Sequence, residues 1–265
     1  MNEKNLNFLK DSLKYLGFGE KLNKQLEDNI KEQPAAFKLE LIGDFNTGEQ
    51  KDKVSYALDF KKSDQSDMYF LNRYQATLRN DDPAKERTHT FYITKSSGIT
   101  AKEAFNLLSG RAVNKDLNNK EGQPFNAWLQ LDLQEKDKNN NFKVKQYHEG
   151  YGYDLEMTLS KYPLKEMLGE EDRTKLVKSL EKGNLTPVTF SREGGEDKMF
   201  IAANPQYKTM DVYDHRLEKV FQGIDRKEKG VEQSSEKKEA VKKDIDEEGA
   251  GKQDKKQSRK RGVGI

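Results

Sequence analysis

Cysteine is absent from this sequence of 265 residues, and so is any long apolar run. Without cysteine the chain cannot form disulfides, use a thiolate nucleophile, or bind zinc or iron–sulfur clusters through thiolates. No stretch approaches the roughly 18 apolar residues of a membrane-spanning helix. The first helical segment carries charges throughout, which is not the pattern of a signal peptide. We therefore expect a cytoplasmic protein without a membrane partner.

Net charge is also scarce, although charged residues are abundant. The 48 lysines and arginines nearly balance the 46 aspartates and glutamates, which leaves a formal net charge of +2 at pH 7. There is no global field to attract nucleic acid, so such binding must come from a local patch. Apolar residues make up only 33% of the chain, but 13 phenylalanines and 11 tyrosines supply large apolar areas. Aromatic residues of this number are enough for a modest core.

Motifs of several enzyme classes are missing as well. The sequence has no GxxxxGK[ST] or GxGxxG nucleotide loop and no GxSxG nucleophile elbow. The three histidines, His89, His148 and His215, lie far apart, whereas histidine metal sites usually contain close pairs. Asp211, Asp214 and His215 form a carboxylate-rich group, but we expect Asp214 to cap a helix. We therefore predict no metal, no cofactor and no catalytic residue.

The first 33 residues predict a helical hairpin. Apolar side chains recur at helical spacing in two runs. The first run is interrupted by Gly17-Phe18-Gly19, and the second stops at Pro34. The runs consist of Leu6, Leu9, Leu13 and Leu16, and of Leu22, Leu26 and Ile30.

Residues 34–98 predict a β-rich unit made of two strand pairs. FKLELIGDF and VSYALDF each place apolar side chains on one face, on either side of the turn residues Asn46-Thr47-Gly48. MYFLNRYQATL and THTFYIT form the second pair, with Asp81-Asp82-Pro83 in the connection.

Residues 99–160 predict a helix followed by a hairpin. Thr100 and Glu103 form a capping box, in which each side chain satisfies the other's free backbone N–H. Gly110 fits the left-handed position after the helix. A turn and the strand AWLQLDL follow. We expect HEGYGYDLEMTL to be a strand with one apolar face, which comprises Tyr151, Tyr153, Leu155, Met157 and Leu159.

Residues 161–224 repeat this order. KSLEKGNLTPV matches FNLLSGRAV in having a helix end, a glycine and a strand entry. The hairpin turns begin at Asn46, Asn118 and Gly194. They lie roughly 70 to 75 residues apart, and this spacing indicates two or three diverged copies of one unit. Convergence on common hairpin chemistry is the alternative. At the end we expect Asp214 to cap a helix with Leu217, Val220 and Phe221 on one side.

The predicted fold class is α+β. Antiparallel hairpins with short packed helices alternate along the chain, in two or three related helix-plus-hairpin units, and the long helical crossovers of a parallel sheet are missing. Residues 225–265 are rich in Lys, Glu, Asp, Gln, Ser and Gly and contain no aromatic residue. Such a segment cannot bury enough apolar surface to fold, so we expect a disordered C-terminal tail.

The end of this tail is a basic cluster. Flexible basic tails bind phosphate backbones without sequence preference, by releasing counterions. A solvated tail without function is the alternative, because the acidic run at 244–248 competes for the same charges. The candidate nucleic-acid contacts are Lys252, Lys255, Lys256, Arg259, Lys260 and Arg261.

Two further stretches could contact a ligand. Gly110 and Arg111 resemble a phosphate-binding pair, but they follow a helix, and the negative end of its dipole repels anions. We interpret Gly110 as a structural cap and keep Arg111 as a surface contact. Tyr147, His148 and Tyr151 lie next to Gly150 and Gly152, and the space beside these glycines would admit a base or a peptide. A core strand that bends at glycine is the favoured alternative.

Several phrases of the sequence resemble a known domain family. They are FNLLSGRAVNKDL, AWLQLD, YGYDLEMTL, KSLEKGN and FIAANPQYKTMDVYD. The family, of unknown function, is carried on conjugative transposons and plasmids of Bacteroides-group bacteria, and the similarity extends from about Leu6 to Phe221. This resemblance implies a bacterial cytoplasmic protein that accompanies mobile DNA. It carries over no catalytic residue.

Three functional hypotheses follow. The first is a non-enzymatic accessory protein of mobile DNA that binds DNA or RNA through the basic tail, with micromolar affinity that is largely lost on deleting residues 252–265. The second is a protein-interaction module for a partner from the same mobile element. The third is an enzyme whose site is assembled from distant residues such as His148, Asp211 and His215, which requires these side chains to converge in one pocket.

Overall fold

The computed structural model describes residues 2–48, 50–94, 98–192 and 194–220. These residues form five α-helices and ten strands. The helices are α1 (Glu3–Tyr15), α2 (Asn23–Glu32), α3 (Ala101–Leu108), α4 (Leu155–Leu159) and α5 (Glu170–Glu181). The strands are β1 (Ala36–Thr47), β2 (Gln50–Lys62), β3 (Tyr69–Leu78), β4 (Arg87–Tyr92), β5 (Val113–Asn118), β6 (Pro124–Lys136), β7 (Phe142–His148), β8 (Thr186–Arg192), β9 (Gly195–Asn204) and β10 (Thr209–Tyr213). The predicted tail lies outside the described residues.

The strands form three separate antiparallel sheets, which confirms the predicted α+β fold of hairpins and short helices. Their strand orders are β1-β2-β3-β4, β5-β6-β7 and β10-β9-β8. Each sheet follows a helix along the chain, in the predicted order. The units therefore do not join in one continuous sheet. The descent of the units from a repeat, and the domain boundaries at residues 33, 98, 160 and 224, stay predictions.

The N-terminal helices pack on the first sheet, as their leucine spacing predicts. The side chains of Leu6, Leu9 and Leu13 are buried along α1. A buried amide, Asn5, donates to the Tyr69 carbonyl at 3.0 Å and accepts from the Tyr69 N–H at 2.8 Å. The side chain thus takes the place of a neighbouring strand at this point of β3.

In the described part of the chain, no helix is long and apolar enough to cross a membrane.

The first sheet buries one face. Val54, Tyr56, Leu58 and Phe60 alternate with partly exposed residues along β2 and are all buried, as predicted from the period of two. The Tyr56 hydroxyl donates to the Ala101 carbonyl at 2.7 Å, which satisfies a buried phenol. The same bond holds the start of α3 against the sheet.

The middle sheet has a hydrophobic cluster on each side. Successive side chains of β6 point to opposite faces. Leu129 and Leu131 join the cluster built on the first sheet, whereas Trp128 joins the cluster built on the third sheet. On β7, Phe142 joins the cluster built on the first sheet, and Tyr147 joins the cluster built on the third sheet. The middle sheet is therefore the layer that both clusters share.

The predicted strand over HEGYGYDLEMTL is wrong. Strand β7 ends at His148, a 3-10 turn covers Glu149–Tyr151, and helix α4 begins at Leu155. The Asp154 side chain accepts from the Met157 N–H at 2.8 Å, which caps the helix. Leu155 and Leu159 are buried together, and a spacing of four fits one face of a helix as well as of a strand. The hydrogen bond that Asp154 accepts from Met157 stabilises the start of a helix, so this segment is helical.

The predicted helix after Asp214 is also wrong. Asp214 closes a turn after β10, because its Oδ1 accepts from the N–H groups of Arg216 and Glu218, both at 2.9 Å. Leu217 has a φ of 64°, outside the right-handed helical region. The Val220 N–H then donates to the Val212 carbonyl at 2.8 Å and turns the chain back along β10. An aspartate initiates turns and helices with the same side-chain bonds, so the sequence did not separate the two. Phe221 lies outside the described residues.

Candidate functional site

A cleft of about 620 Å³ lies where several parts of the described chain meet. The β3–β4 connection, the end of α3, the end of β6 and the end of β10 all contribute to it. Its volume is in the range of small-molecule sites. We name this cleft the basic cleft, because five basic and only two acidic side chains line it. The basic residues are Arg79, Lys85, Arg87, Arg111 and Lys136, and the acidic residues are Asp52 and Glu86.

Arg111 reaches the cleft because of how α3 ends. The Gly110 N–H donates to the Leu107 carbonyl at 2.9 Å and the Arg111 N–H to the Asn106 carbonyl at 3.0 Å. These two bonds are a Schellman motif, and Gly110 has the φ of 84° that the motif requires. The prediction of Gly110 as a left-handed cap is confirmed. The chain reverses here, so that the side chain of Arg111 folds back over α3.

The guanidinium of Arg111 is held by three neighbours. Its Nε donates to the Gly183 carbonyl at 2.9 Å, and its Nη2 donates to the Asn106 Oδ1 at 2.7 Å. Its Cζ lies 5.0 Å from the centroid of the Phe105 ring. Burial lowers the pKa of Arg111 to about 10, while Tyr213 and Asp52 raise it. Arg111 therefore stays charged at neutral pH, and it is half-buried rather than a simple surface contact.

A second cation, Lys102, also contacts the Phe105 ring. The Lys102 Nζ is 4.9 Å from the centroid of the same Phe105 ring and 5.0 Å from that of Phe45. The two rings are stacked, with centroids 4.5 Å apart. Burial lowers the pKa of Lys102, and the charge of Arg111 lowers it further. Of these two cations, Arg111 is the one that lines the basic cleft. Neither forms an ion pair with another residue in the described ranges.

The other basic residues of the cleft divide into two kinds. Arg79 donates to Ser55 at 2.7 Å and pairs with Glu86 at 3.2 Å, while Arg87 donates to the Leu108 carbonyl at 2.9 Å. These two arginines are therefore tied to the fold. Lys85 and Lys136 are exposed at the edge of the cleft. Lys85 has only a 3.6 Å contact to Asp82, and Lys136 lies 5.1 Å from the Phe142 ring centroid.

Sequence reasoning found only Arg111 of this cleft. Lys85 belongs to the connection between β3 and β4, and Lys136 is the last residue of β6. No local spacing links these residues. Their convergence follows from the packing of the middle sheet against the first sheet, which no pattern in the sequence encodes.

Tyr147, His148 and Tyr151 occupy a different surface. The Tyr147 and Tyr151 rings lie 5.0 Å apart, and the Tyr151 hydroxyl donates to the Gln206 carbonyl at 2.8 Å. The Lys208 Nζ lies 4.7 Å from the Tyr151 ring centroid. His148 packs on Phe125, with centroids 5.3 Å apart. The two tyrosine rings do lie together, but Tyr147 is buried on β7 and only Tyr151 is on the 3-10 turn. Lys208 covers part of the Tyr151 face.

The residues of the enzyme hypothesis do not come together in the described structure. Asp211 accepts from Asn204 at 2.8 Å and pairs with Lys219 at 2.7 Å. His215 is exposed in the turn after β10, and His148 lies against Phe125. Across the described ranges, no hydrogen bond or ion pair joins two of the three, and no group of three or more His, Asp or Glu residues could hold a metal ion.

The third histidine, His89, is buried between Phe91 and Phe142. Burial lowers its pKa to about 4, so it is neutral at physiological pH. It belongs to the hydrophobic contact between the first and middle sheets.

Comparison of the chain with protein-family models, with curated proteins and with solved structures gives no match. The similarity to the mobile-element family therefore stays an expectation from the sequence. The candidate contacts at Lys252, Lys255, Lys256, Arg259, Lys260 and Arg261 lie outside the described residues.

Proposed function

We propose that this chain is a non-enzymatic accessory protein of mobile DNA that binds nucleic acid without sequence preference. The basic cleft is the observation that carries the proposal, because it concentrates positive charge on a chain with a net charge of only +2. A local excess of this kind attracts phosphates when the global field does not. Lys85 and Lys136 contact the phosphate backbone, and the basic tail at 252–261 adds further phosphate contacts.

Such binding has a characteristic dependence on salt. Each lysine that neutralises a phosphate releases a counterion, so that affinity falls steeply as salt rises. Arg79 and Arg87 contribute less, since their guanidinium groups already bind Glu86 and the Leu108 carbonyl. The exposed lysines should therefore account for most of the salt dependence that comes from the folded part of the chain.

The test is fluorescence anisotropy of the full chain with single- and double-stranded DNA over a range of salt concentrations. Replacing both Lys85 and Lys136 with Gln should lower the slope of log affinity against log salt by about 2, one for each lost phosphate contact. The matched control replaces Lys24 and Lys178, which are exposed on α2 and α5, with Gln. Equal slopes for the two double variants would contradict a role for the cleft.

Deleting residues 252–265 separates the tail from the cleft. We expect the deletion to remove a large part of the binding at low salt, and the remaining binding to depend on Lys85 and Lys136. If the deletion has no effect, the tail has no role. If the full chain binds neither kind of DNA at low salt, the proposed function is wrong.

An apolar groove favours a second function, a protein-interaction module. The groove has a volume of about 430 Å³ and lies between α1 and β3. Phe8 is 66% exposed and Phe70 is 43% exposed beside it, which is unusual for large apolar side chains. The partner would be a chain from the same element that inserts apolar side chains. A nuclease-resistant stoichiometric complex that is lost when Phe8 and Phe70 are replaced by Ser would support this alternative.

A further inference from the structure

We infer that the free edge of β1 is a dimerisation surface, at which this chain pairs in antiparallel fashion with β1 of a second copy of itself. The first sheets of the two copies then join into one continuous sheet, across a two-fold axis at the middle of the paired strands. This inference concerns the assembly of the chain and does not depend on the proposed function.

Strand β1 is long and is paired on one side only. It is the outer strand of the first sheet, with β2 as its neighbour. It contains 12 residues, Ala36–Thr47, while strands in globular proteins usually have about 3 to 10. Its other edge makes no backbone hydrogen bond to any residue that the structure describes. Such a row of free N–H and C=O groups is a template for a further strand.

The pairing of β1 with β2 fixes which residues face the free edge. The Ala35 carbonyl accepts from the Lys62 N–H at 3.0 Å, and the pairing continues without a shift to Thr47 opposite Gln50. In an antiparallel pair, successive residues alternate between bonding to the partner strand and pointing away from it. The odd-numbered residues of β1 therefore bond to β2, and the even-numbered residues direct their N–H and C=O groups to the free edge.

Other sheet edges in the described structure are covered by side chains. On the edge of β4, the Thr90 N–H donates to the Asn141 Oδ1 at 3.0 Å. On the edge of β8, the Thr189 N–H donates to the carboxylate of Glu166 at 2.9 Å. Caps of this kind prevent a further strand from pairing. The β1 edge has no such cap among the described residues, so it is open to a partner.

The exposed side chains of β1 fit a second copy in one register. The even-numbered residues Lys38, Glu40, Ile42 and Asp44 are all exposed. With Leu41 at the two-fold axis, Lys38 lies opposite Asp44 of the second copy, and Glu40 lies opposite Ile42. The symmetry repeats the pair of opposite charges, and such pairs across two strands are favourable.

The neighbouring registers are unfavourable. Moving the second copy by two residues in one direction places Glu40 opposite Glu40, and moving it in the other direction places Glu40 opposite Asp44. Like charges directly opposite each other destabilise a sheet. The register centred on Leu41 pairs residues 36–46, nearly the whole strand, without such a contact. Charge therefore selects this register for the second copy.

The charged side chains are free to reach across the edge. Lys38 is 66% exposed, and its Nζ lies 3.4 Å from Asp59. Asp59 also binds the Nε of Arg73 at 2.7 Å, so it keeps a cation when Lys38 turns to the second copy. Asp44 is exposed and forms no ion pair with another described residue. Ile42, which is 62% exposed beside the edge, loses apolar exposure on pairing.

Sedimentation equilibrium of the full chain, from micromolar to submillimolar concentration, tests the assembly. The sample is treated with nuclease, so that nucleic acid cannot bridge two chains. We expect the mass of one chain at the lowest concentration and of two chains at the highest. A chain that stays monomeric throughout overturns the proposal.

Two substitutions of Ile42 test the register. Ile42→Glu places like charges opposite Glu40 of the second copy at two symmetric positions and should weaken the dimer about tenfold. Ile42→Lys places a lysine opposite the same glutamate and should keep the affinity within about threefold. The matched control is Met157→Glu, because Met157 on α4 is also 62% exposed, and it should leave the dimer unchanged. Circular dichroism checks that each variant folds.

Hydrogen exchange of the backbone amides gives a second measurement. The amides of Glu40 and Ile42 should exchange slowly in the dimer and quickly after dilution, whereas those of Leu39 and Leu41 should stay slow because they bond to β2. A dimer that Ile42→Glu does not weaken, or whose Glu40 and Ile42 amides do not respond to dilution, overturns the assignment to the β1 edge. If Ile42→Lys weakens the dimer as much as Ile42→Glu, or more, the strands pair in another register and the centre at Leu41 is wrong.

Discussion

The ends of α3 and α5 have the same local backbone pattern, but they present different side chains. Each helix is followed by a left-handed glycine, Gly110 with a φ of 84° and Gly183 with a φ of 74°. The two ends also bind each other, since Arg111 after the first glycine donates to the carbonyl of the second. Only the α3 end delivers a charge to the basic cleft. A shared sequence pattern thus predicts the turn, while the residue after the glycine decides what the turn presents.

The glycines differ most in the space around them. A Cβ on Gly183 would lie 2.6 Å from the Ala112 carbonyl oxygen, which is backbone and cannot move aside alone. We expect Gly183→Ala to lower the free energy of unfolding by about 3 kcal/mol, from positive φ and this contact together. Urea denaturation followed by circular dichroism measures it.

Two other glycines serve as controls for this prediction. A Cβ on Gly110 would meet only the end of the Leu133 side chain, at 3.3 Å, and a Cβ on Gly122, where φ is 80°, would meet nothing within 4 Å. Alanine at either position should cost about 1 kcal/mol, the cost of the backbone conformation alone. Equal losses at all three positions would show that the close contact at Gly183 has no energetic effect.

Asn106 is the buried link between the two helix ends. Its Nδ2 donates to the Lys182 carbonyl at 2.6 Å and to the Asn184 Oδ1 at 3.0 Å, and its Oδ1 accepts from Arg111. Asn106→Ala leaves these partners without their bonds in a buried place, so we expect a loss of about 2 kcal/mol. The same variant should weaken the binding of single-stranded DNA at the basic cleft, because Arg111 loses one of its anchors. A stability loss without any change in the affinity for single-stranded DNA would contradict the anchoring role.

The starts of the same two helices give the smallest expected effects. Helix α3 begins with the capping box of Thr100 and Glu103, whereas Gly169 before α5 forms no side-chain cap bond. Thr100→Ala should cost about 1 kcal/mol, and Gly169→Ser should add a few tenths. Thermal unfolding of both variants tests this difference in sign. A loss for both would contradict the capping account, because Gly169 has φ −106° and ψ 136°, a conformation that serine adopts without strain.

The sequence predicts those parts of the fold that depend on local chemistry. The Thr100 capping box, the left-handed Gly110 and the apolar face of β2 are all present as expected. Where one side-chain pattern serves two structures, prediction failed. Asp154 caps a helix inside an expected strand, and Asp214 closes a turn in place of an expected helix.

The candidate site was less predictable than the fold. Arg111 is adjacent to a recognisable glycine, so its sequence pattern could be found. Lys85 lies in the connection between β3 and β4, and Lys136 lies at the end of β6. Their place in the same cleft as Arg111 depends on long-range packing of the middle sheet. A single sequence carries no local pattern for such an arrangement.

Nuclear magnetic resonance of the 15N-labelled full chain tests the central claim most directly. Spectra are recorded while a single-stranded oligonucleotide is added. The account predicts the largest shifts at the Arg111 Nε–H and at the backbone amides of Ser109 and Tyr213, which line the basic cleft. Shifts confined to Tyr147, Tyr151 and their neighbours, with the cleft signals unmoved, would contradict it.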